Sequence, residues 1–182
     1  MRIAGIVGWH DSGKTTLVVA LVAELTARGY RVSTVKHAHH VFDVDTPGKD
    51  SWKHRESGAT EVMVGSSTRW ALMHELRGAD EPSTRELVAK MSPVDIVLVE
   101  GFKHEDHEKI EVYRQGLDEP PNALRDPTIV ALADDGATTG LPDNVQRLDA
   151  GDPVAVADFI ERHWGLTRPG AHPDAQTAPG AA

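Results

Sequence analysis

The sequence contains no cysteine among its 182 residues. Disulfides, zinc–thiolate sites and thiol nucleophiles are therefore excluded. It also lacks any apolar run approaching the roughly 20 residues that a membrane-spanning helix needs, and its first apolar run is too short for a signal peptide. We therefore expect a cytoplasmic protein with no membrane partner.

Positive charge is scarce, because 19 Lys and Arg residues stand against 28 Asp and Glu residues, for a net charge of −9. This balance argues against broad nucleic-acid binding, so we expect no nucleic-acid partner. The length suits one compact domain. Because the chain is rich in Pro, Gly and Ala from Gly165 onward, we expect one nucleotide-binding domain over 1–164 and a disordered tail over 165–182.

One motif predicts phosphate binding. The segment Gly8-Trp9-His10-Asp11-Ser12-Gly13-Lys14-Thr15 matches the pattern G-x-x-x-x-G-K-[ST] in full. Glycine lets a backbone wrap closely around phosphate oxygens, and the helix that follows directs free N–H groups at the anion. Lys14 can reach the β- and γ-phosphates, and the Thr15 hydroxyl is placed to coordinate Mg²⁺.

The pattern of apolar residues predicts the fold around this motif. A strand over 3–7, an amphipathic helix over 15–28 and a strand over 31–36 form a βαβ unit with parallel strands. Further predicted strands cover 60–64, 70–74, 95–99, 109–113 and 128–133, and further helices cover 51–57 (capped by Asp50 or Ser51), 83–91 and 154–164. We therefore predict an α/β P-loop NTPase fold, with a mainly parallel sheet flanked by helices and an antiparallel strand pair at 60–74.

Two predicted strands end in residues that suit a phosphate site. Ligands of parallel sheets bind beyond the carboxyl ends of the strands. Glu100 and Gly101 follow the strand over 95–99, and a carboxylate there can hold Mg²⁺ directly or through water. Lys36 ends the second strand, so it also lies on the ligand side.

A cluster of histidines and aspartates follows Lys36. Its members are His37, His39, His40, Asp43 and Asp45. These side chains could ligate a transition metal, bind phosphate, transfer protons or shape a loop. None of their spacings is diagnostic, so the sequence leaves these roles open.

Four stretches occur together in a specific order. They are Gly8 to Thr16, Val35-Lys36-His37 with His39-His40 and Phe42, Asp45-Thr46-Pro47-Gly48-Lys49-Asp50-Ser51, and Val99-Glu100-Gly101-Phe102-Lys103. Together they resemble the molybdopterin-guanine dinucleotide biosynthesis adapter proteins, the MobB family. The resemblance implies a dimeric P-loop GTP-binding protein with weak GTPase activity. It also implies a partner, a separate guanylyltransferase that joins GMP to molybdopterin, with molybdopterin or molybdoenzyme maturation factors as further candidate partners.

The motif and the resemblance together give a set of candidate site residues. The candidate GTP-binding residues are Gly8, Asp11, Ser12, Gly13, Lys14, Thr15, Thr16, Lys36, Asp45, Lys49, Asp50, Glu100, Gly101, Asp134 and Asp135, and the candidate Mg²⁺ ligands are Thr15 and Glu100. Asp45, Lys49 and Asp50 fall in the family's second motif. Since the sequence has no Asn-Lys-x-Asp signature, we expect Asp134 or Asp135, at a strand end, to accept from guanine N1 and N2.

Three further expectations concern activity and assembly. We find no evident water-orienting glutamine or arginine finger, so we expect slow hydrolysis unless a partner supplies one. A small-molecule kinase uses the same loop, although Arg55, Arg69 and Arg85 are too scattered for an arginine-rich lid, and the histidines leave a metal-delivery GTPase open. The strand pair at 60–74 could extend a sheet across a homodimer.

Overall fold

The computed structural model describes residues 1–38, 42–136 and 138–168. They form two compact units, one made of Met1–His37 with the described part of Thr84–Ala182, the other of the described part of Ala38–Ser83. The single domain over 1–164 stays a prediction. Residues 169–182 of the predicted tail, together with His39 and His40, lie outside the described residues.

The described elements follow the predicted order with small shifts at their ends. In chain order they are β1 (Arg2–Val7), α1 (Lys14–Ala27), β2 (Val32–Lys36), α2 (Asp50–Glu56), β3 (Glu61–Gly65), β4 (Trp70–His74), α3 (Thr84–Ala89), β5 (Ile96–Glu100), β6 (Lys109–Val112), a 3₁₀ turn (Asn122–Leu124), β7 (Ile129–Asp134), β8 (Gln146–Asp149) and α4 (Pro153–His163).

The first unit is built on a six-stranded sheet in the order β2-β5-β1-β6-β7-β8. Every neighbouring pair in it is parallel. β5 lies between β1 and β2, so Glu100 is in register with Lys36 on one side and with Ile6 on the other. Parallel pairing brings the carboxyl ends of these strands to one edge of the sheet, which is where the site residues lie.

Helices cover both faces of this sheet. Leu21 of α1 and Ile160 of α4 are fully buried in one core cluster with Ile6, and Val88 of α3 packs with Val97 in another. β5 is buried along its whole length, as its continuous apolar run predicts. The predicted parallel sheet flanked by helices is confirmed.

The second unit contains α2 and the antiparallel pair β3–β4, which confirms the predicted strand pair. Glu61 is in register with His74 and Gly65 with Trp70. Val62 is buried, whereas Met63 and Trp70 are more than half exposed.

Some local predictions are wrong or incomplete. Lys49 occupies the N-cap of α2 and no side chain caps this helix, because the Ser51 hydroxyl donates instead to Asp45 Oδ1 at 2.8 Å. β8 was not predicted, because Leu148 is its only buried residue and gives no alternating pattern. In the part of the chain that the structure describes, no helix is long and apolar enough to cross a membrane.

Candidate nucleotide-binding site

The loop between β1 and α1 has an unusual backbone. Gly8 (φ 145°) and Gly13 (φ 98°) adopt left-handed conformations that only glycine tolerates well, and Asp11 adopts one at φ 57°. Gly13 is the N-cap of α1, which begins at Lys14. The first N–H groups of a helix have no acceptor within it, so this loop and helix start offer donors to an anion.

The interior of the loop contains an unsatisfied hydroxyl. Ser12 is fully buried, and its Oγ has no hydrogen-bond partner among the described residues. A side chain on Gly8 would collide with Ser12 Oγ and with the Val112 carbonyl oxygen. The loop is thus closely packed on the end of β6, with a buried donor that an anion's oxygen would satisfy.

Lys14 is folded back onto the loop. Its Nζ donates to the Trp9 carbonyl oxygen at 2.5 Å. Partial burial lowers the pKa of Lys14, and the positive charges of Lys36 and Lys103 act in the same direction, while Glu100 opposes them. Several cations therefore surround this loop, as expected where phosphate charge is to be neutralised.

Thr15, Glu100 and Lys36 form the centre of the site. The Thr15 hydroxyl donates to Glu100 Oε1 at 2.7 Å, and Lys36 Nζ donates to the same carboxylate oxygen and to Thr15 Oγ1 at 3.3 Å. Burial opposes ionisation of Glu100, but the hydrogen bonds from Lys36 and Thr15 outweigh it, so its pKa lies below the ordinary value. A hydroxyl and an ionised carboxylate are hard oxygen donors, and this donor set fits Mg²⁺.

The segment after β5 turns sharply beside β2. Gly101 has φ 92°, and a methyl group on it would lie 2.8 Å from His37 Cβ, so glycine is required there. The His37 and Phe102 rings lie with centroids 4.5 Å apart, and Lys103 Nζ lies 4.7 Å from the centroid of the Trp9 ring. The segment that follows Glu100 therefore forms one side of the phosphate loop's surroundings.

Thr16, the remaining candidate next to the loop, is exposed on the first turn of α1.

The two guanine candidates have different surroundings. The Asp134 side chain is fully buried and accepts hydrogen bonds from the backbone N–H groups of Gly136 and Thr138 at 3.0 and 3.2 Å and from Arg147 at 3.3 Å. Asp135 is exposed at the end of β7. Asp134 thus holds the following loop in place, and Asp135 is the carboxylate that solvent reaches.

The remaining candidates belong to the second unit. Asp45 accepts from Ser51 and lies 3.3 Å from Arg55 Nε, Lys49 caps α2, and Asp50 forms an exposed ion pair with Lys53. Within the described ranges, no group of three or more His, Asp or Glu side chains is arranged to hold a metal ion.

Sequence reasoning missed Arg114. A methyl group on Gly13 would lie 3.3 Å from Arg114 Nη2 and 3.4 Å from its Nε, so the guanidinium lies alongside the phosphate loop. The sequence did offer one indication of Arg114, namely its place directly after the strand predicted over 109–113. Glu100 likewise follows its strand directly, and the ends of parallel strands are where ligands bind.

Comparisons with known proteins agree on one family. The family described as "MobB: Molybdopterin guanine dinucleotide synthesis protein B" matches residues 3–135. The molybdopterin-guanine dinucleotide biosynthesis adapter protein of Escherichia coli (strain K12) is 43% identical over 155 residues, covering 84% of this chain and 87% of the relative. The protein of the same name from Haemophilus influenzae is 40% identical over 167 residues, covering 89% and 88%. A crystal structure of molybdopterin-guanine biosynthesis protein B superposes with a TM-score of 0.68 at 26% identity, covering 88% of this chain and 99% of that one.

Proposed function

This chain belongs to the MobB family, and from that premise we propose that it is an adapter in molybdopterin guanine dinucleotide biosynthesis that binds GTP with Mg²⁺ in the loop Gly8 to Thr15. The resemblance stated from the sequence is thereby confirmed. The cytoplasm is the compartment we propose for it, which the absence of cysteine suits.

The observation that carries the nucleotide proposal is the contact between Thr15 and Glu100. Two segments that the sequence marks separately, a phosphate loop and a strand-end carboxylate, supply neighbouring oxygens for one cation. A bound Mg²⁺ would neutralise charge on the β- and γ-phosphates. Lys14 Nζ would exchange its hydrogen bond to the Trp9 carbonyl for one to a phosphate oxygen. Lys36 would release its hydrogen bond to Glu100 Oε1, so that this oxygen could coordinate the metal.

Calorimetry with GTP and Mg²⁺ tests this proposal. We expect Lys14→Ala to weaken GTP binding by about ten- to hundredfold, since a charged hydrogen bond contributes ~1.5–3 kcal/mol. Lys90→Ala, at an exposed position, is the matched control and should bind as the wild type does. Equal affinity of the Lys14 variant and the wild type would contradict the proposal.

We propose the guanylyltransferase of this pathway as the protein partner. Capture of the purified enzyme on this chain, with and without GTP, tests the adapter role directly. Capture that increases with GTP in the wild type and not in Lys14→Ala supports a nucleotide-dependent adapter. No capture in either condition would contradict the partner, while leaving the calorimetric result intact.

We also propose that the chain is a homodimer that pairs through the β3–β4 hairpin. One face of this hairpin carries Met63, Trp70 and Leu72, which are 64%, 65% and 44% exposed. A two-stranded sheet with such an apolar face is marginal alone, and pairing with a second copy would cover it.

Neither alternative function gains support from the described residues. Of the three scattered arginines weighed for a kinase lid, Arg55 is held by Asp43, Asp45 and Glu75. The described residues form no cluster of three or more His, Asp or Glu side chains for a metal-delivery GTPase, and His39 and His40, which prompted that alternative, lie outside them.

A further inference from the structure

The chain segment that leaves β6 runs along the phosphate loop. Three contacts show this: the Val112 carbonyl oxygen packs against Gly8, the Arg114 guanidinium lies beside Gly13, and Trp9 Nε1 donates to the Pro120 carbonyl oxygen at 3.0 Å. The loop is therefore flanked on one side by the Glu100 segment and on the other by residues 112–120. Arg114 is the cation that this second flank brings to the loop.

Arg114 differs from Lys14 and Lys36 in having no hydrogen-bond acceptor among the described residues. Lys14 donates to Trp9, and Lys36 donates to Glu100. Arg114 is exposed, and none of the hydrogen bonds or ion pairs among the described residues involves it. By contrast, Arg28, which is 7% exposed, pairs with three carboxylates. A planar guanidinium with unused donors beside an anion loop is suited to bidentate contact with phosphate.

We propose that Arg114 contacts the terminal phosphate of the bound nucleotide and stabilises the charge that develops there during hydrolysis. This inference rests on the proposed binding of GTP. In the reaction, water oxygen bonds to the γ-phosphorus while the bond from the γ-phosphorus to the β–γ bridging oxygen breaks. GDP leaves with that electron pair, and the proton of water passes to the phosphate product and solvent. Arg114 supplies N–H donors to the oxygens that gain charge.

The position of Arg114 also fits slow hydrolysis. GTPases that carry their arginine in the same chain hydrolyse on the order of 10⁻² s⁻¹ without a partner. No carboxylate among the described residues forms an ion pair with Arg114, so a partner that contacts its guanidinium and fixes its orientation would accelerate the reaction. With Arg114 in this role, we expect slow hydrolysis by the chain alone and faster hydrolysis in such a complex.

The test compares wild type with Arg114→Ala, Arg114→Lys and Arg85→Ala, the last an exposed control whose side chain is 74% exposed. Calorimetry measures GDP affinity, and retention of fluorescent GDP with and without aluminium fluoride measures binding of a transition-state analogue. Single-turnover hydrolysis is the third readout. We expect both Arg114 variants to bind GDP within about twofold of wild type, to lose the aluminium-fluoride-dependent retention, and to hydrolyse GTP at least tenfold more slowly.

The outcomes separate this inference from the proposed function. If Arg114→Ala retains the aluminium fluoride complex and hydrolyses at the wild-type rate, Arg114 has no such role. The same holds if wild type binds GDP but forms no aluminium fluoride complex. Wild type that binds no guanine nucleotide would overturn the proposed function and this inference with it. Aluminium fluoride retention in Arg85→Ala should equal that of wild type, and a loss there as large as in Arg114→Ala would overturn the specific assignment.

Discussion

Thr15 and Glu100, 85 positions apart in the chain, are joined by a hydrogen bond of 2.7 Å from the threonine hydroxyl to Oε1 of the glutamate. The contact exists because β5 lies next to β1 in the sheet, which brings the end of β5 beside the start of α1. The carboxylate is also the acceptor for Lys36. One oxygen atom thus connects three segments of the site.

Glu100→Gln should remove the Mg²⁺ dependence of nucleotide binding. The amide keeps the size of the side chain but loses the negative charge that attracts the dication. We expect GTP affinity with Mg²⁺ to fall by about tenfold or more, toward the value measured with EDTA, as the loss of one charged contact implies. Calorimetry with Mg²⁺ and with EDTA checks this. An unchanged ratio of the two affinities would exclude Glu100 as a metal-binding residue.

Glu100 should also contribute a pH-dependent stability. Its pKa in the folded protein is lowered from 4.5, so the unfolded chain binds more protons at pH values between the folded and ordinary pKa, and stability rises with pH there. The contribution is therefore complete above the ordinary pKa and is lost as pH falls through the folded value. Melting curves of wild type and Glu100→Gln from pH 3 to pH 7 should differ most at the high end and converge at the low end. Parallel curves would show that this carboxylate has an ordinary pKa.

Asp134 should stabilise the fold, and Asp135 should recognise guanine. Asp134→Ala leaves backbone N–H groups of the following loop without an acceptor, and we expect it to reduce the free energy of unfolding by ~1–3 kcal/mol. Asp135→Ala should leave stability within about 0.5 kcal/mol and erode the preference for GTP over ATP. Denaturant titration and competition binding measure the two effects. If neither variant alters the preference, guanine is recognised elsewhere.

The double variant Trp70→Ser/Leu72→Ser should convert a dimer to a monomer. Both side chains lie on the exposed face of the hairpin, and polar replacements remove apolar area whose burial contributes ~25 cal/mol per Å². Val19→Ser is a control, because Val19 is 64% exposed on α1, outside the hairpin. Sedimentation velocity at micromolar concentration gives the mass. A monomeric wild type would rule out the proposed homodimer.

The sequence was most informative where local pattern determines structure. The phosphate loop, the buried strand ending at Glu100 and the strand pair at 60–74 all follow from glycine placement and apolar periodicity. The order of the strands did not follow, because β5 pairs with β1 and β2 through contacts that no local pattern encodes. Arg114 was not predicted as a site residue because it reaches the loop only through the pairing of β6 with β1, which is also a long-range contact. The predicted capping of α2 by Ser51 was wrong because the Ser51 hydroxyl donates to Asp45 instead.

The insertion of β5 between β1 and β2 sets an order of events during synthesis. The first two strands emerge within the first 36 residues, yet neither is the other's neighbour in the sheet. Both must wait for residues 96–100 before they have a parallel partner, and such long-range closure is slow. A ribosome-bound chain whose residues 96–100 have not yet emerged should therefore be unable to retain nucleotide, and its unpaired apolar strands are the ones that chaperones would bind first.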